Sequence, residues 1–177
     1  SSAEGELLEP FVGSVESLIA DLPASCATGG FAFSYWHGDR FAADQVQELL
    51  ARYLGFQHSD IACNNMRDLV SEAHWLTFLS DRLAKRLGGT SKIAAAMPPG
   101  AVRKMGDGWM LRAAHRPPVG DSNRAAADVG LLPSVSRWLQ PLRYTTDAFS
   151  GSKPTLDPQR WLARFDERTD GLWENRA

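Results

Sequence analysis

The run Trp75 to Gly89, WLTFLSDRLAKRLGG, leaves this chain fewer folding choices than any other segment. Leu76, Leu79, Leu83 and Leu87 recur at spacings of three, four and four residues, which predicts a helix with all four leucines on one face. A face of that kind must be buried. Asp81 and Lys85 form a favourable pair four residues apart. Arg82, Lys85 and Arg86 complement the negative end of the helix dipole, and Gly88-Gly89 supplies a left-handed stop. The segment therefore specifies a core element, and nothing in it suggests chemistry.

Around it, helices alternate with short strands. Residues 7–22 place Leu7, Leu8, Phe11, Val12, Val15, Leu18 and Ile19 at helical spacing, with Pro10 suited to a first turn and Pro23 beyond the end. In FAFSYW, Phe31, Phe33 and Tyr35 alternate with Ala32, Ser34 and Trp36, the period of a strand. A second helix is expected over 42–54, ended by Gly55, followed by an irregular stretch from His58 to His74. KIAAAM reads as a short strand and PPG as a turn. AVRKM and WMLRAA read as an antiparallel hairpin joined through Gly106-Asp107-Gly108. HRPPVGDSN is a rigid loop, a helical stretch over 124–139 is interrupted by Pro133, and LDPQRWLARFDER is a last helix capped by Asp157 with Pro158 in its first turn. Together these predict an α+β fold, a largely antiparallel sheet packed with several amphipathic helices.

With 177 residues, 44% of them hydrophobic, the chain suits a single domain over 1–177. It starts SSAEGELLEP without an initiator methionine, which suggests that an N-terminal portion of a longer protein is missing. No run of about 18 apolar residues or signal-peptide pattern occurs, so no membrane association is expected. Cys26 and Cys63 make neither a disulfide framework nor a zinc cluster. A reducing, cytoplasmic setting is the simpler expectation, and the sequence leaves open whether the two are bonded. The net charge of −2 conceals an asymmetry: residues 1–80 hold eleven acids against three bases, net −8, leaving +6 for the remainder. Folding can interleave the two halves. An acidic face that survived it would repel nucleic acid and attract a basic partner.

No GxSxG elbow, HExxH, CxxC, phosphate-binding loop or GxGxxG is present, and His58, His74 and His115 lack metal-ligand spacing. No catalytic residue, metal site or cofactor is assigned. One local group, WHGDR from Trp36 to Arg40, places an imidazole, a carboxylate and a guanidinium at the end of the aromatic strand. It supports the alternative of a small hydrolase using His37 and Asp39. The six tryptophans fall mostly inside expected elements and belong to the core, with Trp36 and Trp173 the best exposed anchors. The basic residues of the second half are too scattered for a nucleic-acid interface, so no direct nucleic-acid binding is expected.

Five pieces in register, FAFSYW, WLTFLSDRLAKRLGG, GDGWMLRAAHRPPVGDSN, WLQPLR and WLARFDER, resemble the immunity-protein family of bacterial type VI secretion. The family's tryptophan-led helix ending in Gly-Gly is matched by Trp75 to Gly89, and its later Gly-Asp by Gly120-Asp121. The resemblance implies a cytoplasmic protein without catalysis that binds a cognate secreted toxin, several relatives being paired with nucleases, some of restriction-endonuclease type. A nuclease grips phosphates with Lys and Arg, so an acidic surface imitating a phosphate row would occlude it. On that reading the toxin-binding residues are Trp36, Asp39, Arg40, Asp44 and Glu48. An interaction module of a secretion apparatus is the other non-enzymatic alternative, and the oligomeric state is left open.

Overall fold

The computed structural model describes residues 2–33, 40–58, 69–124, 127–144 and 156–166. Its centre is a four-stranded antiparallel sheet in the order β1 (Cys26–Gly29), β4 (Leu76–Ser80), β6 (Gly108–Arg112), β5 (Val102–Met105). A separate pair, β2 (Ala32–Phe33) and β3 (Gln57–His58), is parallel. The described helices are α1 (Ser2–Asp21), α2 (Arg40–Arg52), α3 (Asp81–Arg86), α4 (Thr90–Ala96), α5 (Leu132–Leu139) and α6 (Pro158–Leu162), with a 3-10 turn at Gln140–Leu142. The α+β class and the antiparallel sheet agree with the sequence reading.

The sheet separates two apolar layers. On one face Leu76, Phe78 and Met110 pack with Trp75 against Val12 and Ile19 of α1. On the other, Leu79 and Leu111 join the larger core built from α2, α3, α4, α5 and α6. Alternation assigns the edge strand consistently. Arg103 pairs with Glu16 on the α1 side, and Lys104 reaches Asp81 at 2.7 Å on the other.

Trp75 to Gly89 is not one helix. Leu76–Ser80 is a central strand, flanked in register by β1 and β6, and Ser80 is the N-cap of α3, its hydroxyl accepting from the Leu83 amide. The reason is physical. A strand buried on both faces loses the polar half of its alternation, so Trp75, Leu76, Phe78 and Leu79 read as a continuous apolar run whose leucines happen to continue the spacing of Leu83 and Leu87. The second half behaves as expected: Leu83 and Leu87 are buried, Arg82, Lys85 and Arg86 are exposed. Gly88 and Gly89 stop the helix at φ of +94° and +80°, the Gly89 amide donating to Ala84 O at 2.9 Å. Asp81 turns to Lys104 and the Trp109 indole rather than forming the expected pair with Lys85. Both groups hold its carboxyl below the usual range, the Lys104 hydrogen bond most and the Trp109 one against the opposing effect of burial.

Other differences have similar origins. Lys92 to Ala96 of KIAAAM lie in helix α4, where the three alanines follow their intrinsic preference, and Ile93 and the C-cap Met97 join the core. Pro10 lies inside α1 rather than at its start. Pro133 occupies the first turn of α5 rather than interrupting it. The hairpin forms as expected, Met105 pairing with Gly108 around Gly106-Asp107, and Asp157 caps α6 by accepting from the Gln159 and Arg160 amides at 2.8 and 3.1 Å.

Candidate functional site

Helix α2 has two sides. Val46, Gln47, Leu50 and Ala51 are buried, while Glu48, Leu49 and Arg52 are exposed and Asp44 is half-buried. Asp44 and Glu48 stand one turn apart along the same side. Of the expected toxin-binding set, these two are therefore brought together on one helix. Arg40 is the first residue of that helix, and its side chain, like Trp36 and Asp39, lies outside the described residues. His37 of the hydrolase alternative does too.

Folding pairs part of the acidic first half with the basic remainder. Glu9 pairs with Arg112 at 2.8 Å, Glu16 with Arg103, and Glu72 with Arg164, each joining an acid of the first half to a base of the second. The Arg112 hydrogen bond and charge hold the Glu9 carboxyl below its ordinary range. Among the described residues of α2, Glu48 is the exposed carboxylate.

Sequence reasoning missed what lies at the C-terminal end of α2. Phe56 is sandwiched between Phe31, at 5.1 Å and 19°, and Phe33, at 4.5 Å and 17°. Tyr53 tilts against Phe33 and Phe56 at 6.4 and 5.8 Å, and the Arg52 guanidinium sits 4.9 Å above the Tyr53 ring. Phe31 is 41% exposed and Leu49, one turn before Tyr53, 38%. The period-two aromatics of FAFSYW marked a strand, but only the parallel pairing of β2 with β3 brings Phe31 and Phe33 onto Phe56. No local spacing encodes that.

Three sets of polar contacts hold this cluster. Phe31 O accepts from the Gln57 amide at 2.9 Å, and the His74 ring bridges Gly29 O and Phe31 O at 2.7 and 3.0 Å. The buried Arg164 side chain donates to Leu54 O at 2.9 Å and Phe56 O at 3.4 Å, pairs with the buried Glu72, and packs 3.7 Å from the Trp161 ring centre. Burial pulls the Arg164 pKa down and Glu72 opposes it. On the opposite side Asp121 binds Arg52 through both oxygens, while Leu54 and Gly55 amides donate to Gly120 O and Val119 O at 3.0 and 3.1 Å. A Cβ on Gly55 would stand 1.8 Å from Pro118 O, and Gly120 has φ +61°. The Gly120-Asp121 pair singled out in the sequence is thus the seam that closes the loop onto α2.

The exposed part of this surface is apolar, Phe31 and Leu49, with the Glu48 carboxylate beside them. Among the described residues no group of three or more His, Cys, Asp or Glu side chains could hold a metal ion, and no helix is long and apolar enough to cross a membrane. The sequence pattern of TsiV, type VI immunity for VRR-NUC, matches residues 10–176. The chain belongs to the TsiV family. That places it among type VI immunity proteins, as the resemblance of its five segments implied.

The chain also shares its fold with the Pseudomonas aeruginosa T6SS protein PA0821, at a TM-score of 0.70 and 20% identity over 89% of this chain and 48% of that one. It therefore spans about half the length of that neighbour. No curated protein matches it.

Proposed function

We propose that the protein is a cytoplasmic immunity protein, one domain over 1–177, that binds a cognate VRR-NUC nuclease toxin and blocks it without catalysis of its own. The observation that carries this reading is the family match across residues 10–176. The blocking surface is the outer side of α2 and the segment before it, Trp36, Asp39, Arg40, Asp44 and Glu48. Physical chemistry supports this assignment. A nuclease concentrates Lys and Arg where it holds phosphates, and carboxylates presented from a rigid helix compete for those cations. Such an encounter is steered by charge, so its association rate falls as salt rises.

The test is cleavage of DNA by the cognate VRR-NUC protein in the presence of increasing amounts of this protein. Inhibition should be complete near equimolar ratio, with no DNA cleavage or DNA binding by this protein alone. Undiminished nuclease activity at a large excess would sink the reading.

A further inference from the structure

Resting on the immunity reading, we infer that the cluster Phe31, Phe33, Tyr53 and Phe56, with Leu49 beside it, is the apolar anchor of the toxin contact. Its occupant is an apolar toxin patch rimmed by Lys and Arg. Phe31 and Leu49 keep substantial exposure although both belong to ordered elements or their immediate flanks. The rings are already stacked and their backbone is held from Gln57, His74 and Arg164. A partner therefore gains contact area without ordering new side chains, which is what distinguishes an energetic anchor from mere contact area.

The rim names the partner's charge. Glu48 is exposed next to Leu49, whereas the Arg52 charge is taken up by Asp121. On α2 itself, the exposed charge beside the rings that is not bound by Asp121 is the Glu48 carboxylate. A second copy of this chain would add a further Glu48 carboxylate to the same interface, which like charges oppose. A basic protein surface meets no such cost. Another exposed apolar edge, Phe11 and Leu18 on α1 with Leu22 just after it, is largely aliphatic, and its one ring is stacked on Trp75.

The deciding experiment measures association and dissociation rates of the cognate VRR-NUC toxin at several salt concentrations. It compares the unsubstituted protein with Phe31→Ser, Leu49→Gln, Glu48→Gln and, on α1, Leu18→Gln, each checked for an unchanged melting temperature. Phe31→Ser and Leu49→Gln should each weaken binding about tenfold or more, through faster dissociation and with the salt dependence intact. Glu48→Gln should slow association and flatten that dependence, and Leu18→Gln should bind as the unsubstituted protein does. Two variants on different elements keep the test decisive if one loosens the fold. Normal binding by both, or a larger loss from Leu18→Gln, overturns the anchor while leaving the immunity reading standing. A dimer in sedimentation that Phe31→Ser dissolves also overturns it. If the unsubstituted protein neither binds nor inhibits the toxin, the immunity reading itself fails and the anchor falls with it.

Discussion

Asp121 holds Arg52 through both carboxylate oxygens, at 3.1 and 3.2 Å, and so ties the last turn of α2 to the loop that follows the sheet. The Arg52 hydrogen bonds hold the Asp121 carboxyl below its usual range against the effect of burial, helped by the Asn123 amide and the charges of Arg52 and Arg124. A folded-state pKa below the unfolded one, about 3.9, means stabilisation fully present above that value and lost as pH falls through the folded one. Asp121→Asn should therefore lower the melting temperature at neutral pH, with the difference from the unsubstituted protein shrinking below about pH 4. Melting curves across that range check it. A constant difference down to the acid limit would show that the pair contributes through packing alone.

Gly55 and Gly13 provide a matched contrast. A methyl group at Gly55 meets the Pro118 carbonyl, which belongs to backbone and cannot step aside, while one at Gly13 meets nothing within 4 Å. Gly55→Ala should cost about 3 kcal/mol in urea unfolding. Gly13→Ala, in the exposed middle of α1, should gain about 0.5–1 kcal/mol.

Arg164 and Glu72 are both buried. Removing one leaves the other's charge enclosed, so Arg164→Ala or Glu72→Ala should each cost about 3–5 kcal/mol. Replacing both with Met and Leu should cost much less than the sum of the two. Equilibrium unfolding of the single and double variants measures this directly, and strict additivity would mean that the two charges do not depend on each other.

Asp157 accepts two amide hydrogen bonds at the start of α6. Asp157→Ala should cost about 1 kcal/mol, and Asp157→Ser should recover most of it. Chemical denaturation distinguishes them. Equal losses would assign the effect to charge near the helix end rather than to the cap.

The elements that the sequence revealed are those whose signals are local. The β5–β6 hairpin carries its own turn residues, α6 its own cap and first-turn proline, and α3 its own glycine stop. The misread elements depend on what surrounds them. Leu76 to Ser80 looks helical because burial on both faces erased its alternation, and Ala94 to Ala96 look strand-like only beside a following Pro-Pro-Gly. The candidate surface was legible in the same partial way. The helix that carries Asp44 and Glu48 was legible, and their spacing of four puts the two on one side of it. The aromatic cluster joins residues more than twenty positions apart across a parallel strand pair, and the cancelling of Glu9, Glu16 and Glu72 by distant arginines is likewise a property of the folded chain.

Arg164 takes two of its hydrogen-bond partners, Leu54 O and Phe56 O, from the turn that carries the stacked rings. Opening of this turn and of α6 should thereby be one reaction. Amide hydrogen exchange at Phe56 and Gln57 should keep step with exchange in α6, so a change that frays α6 would be felt more than a hundred residues away, as a loosened surface.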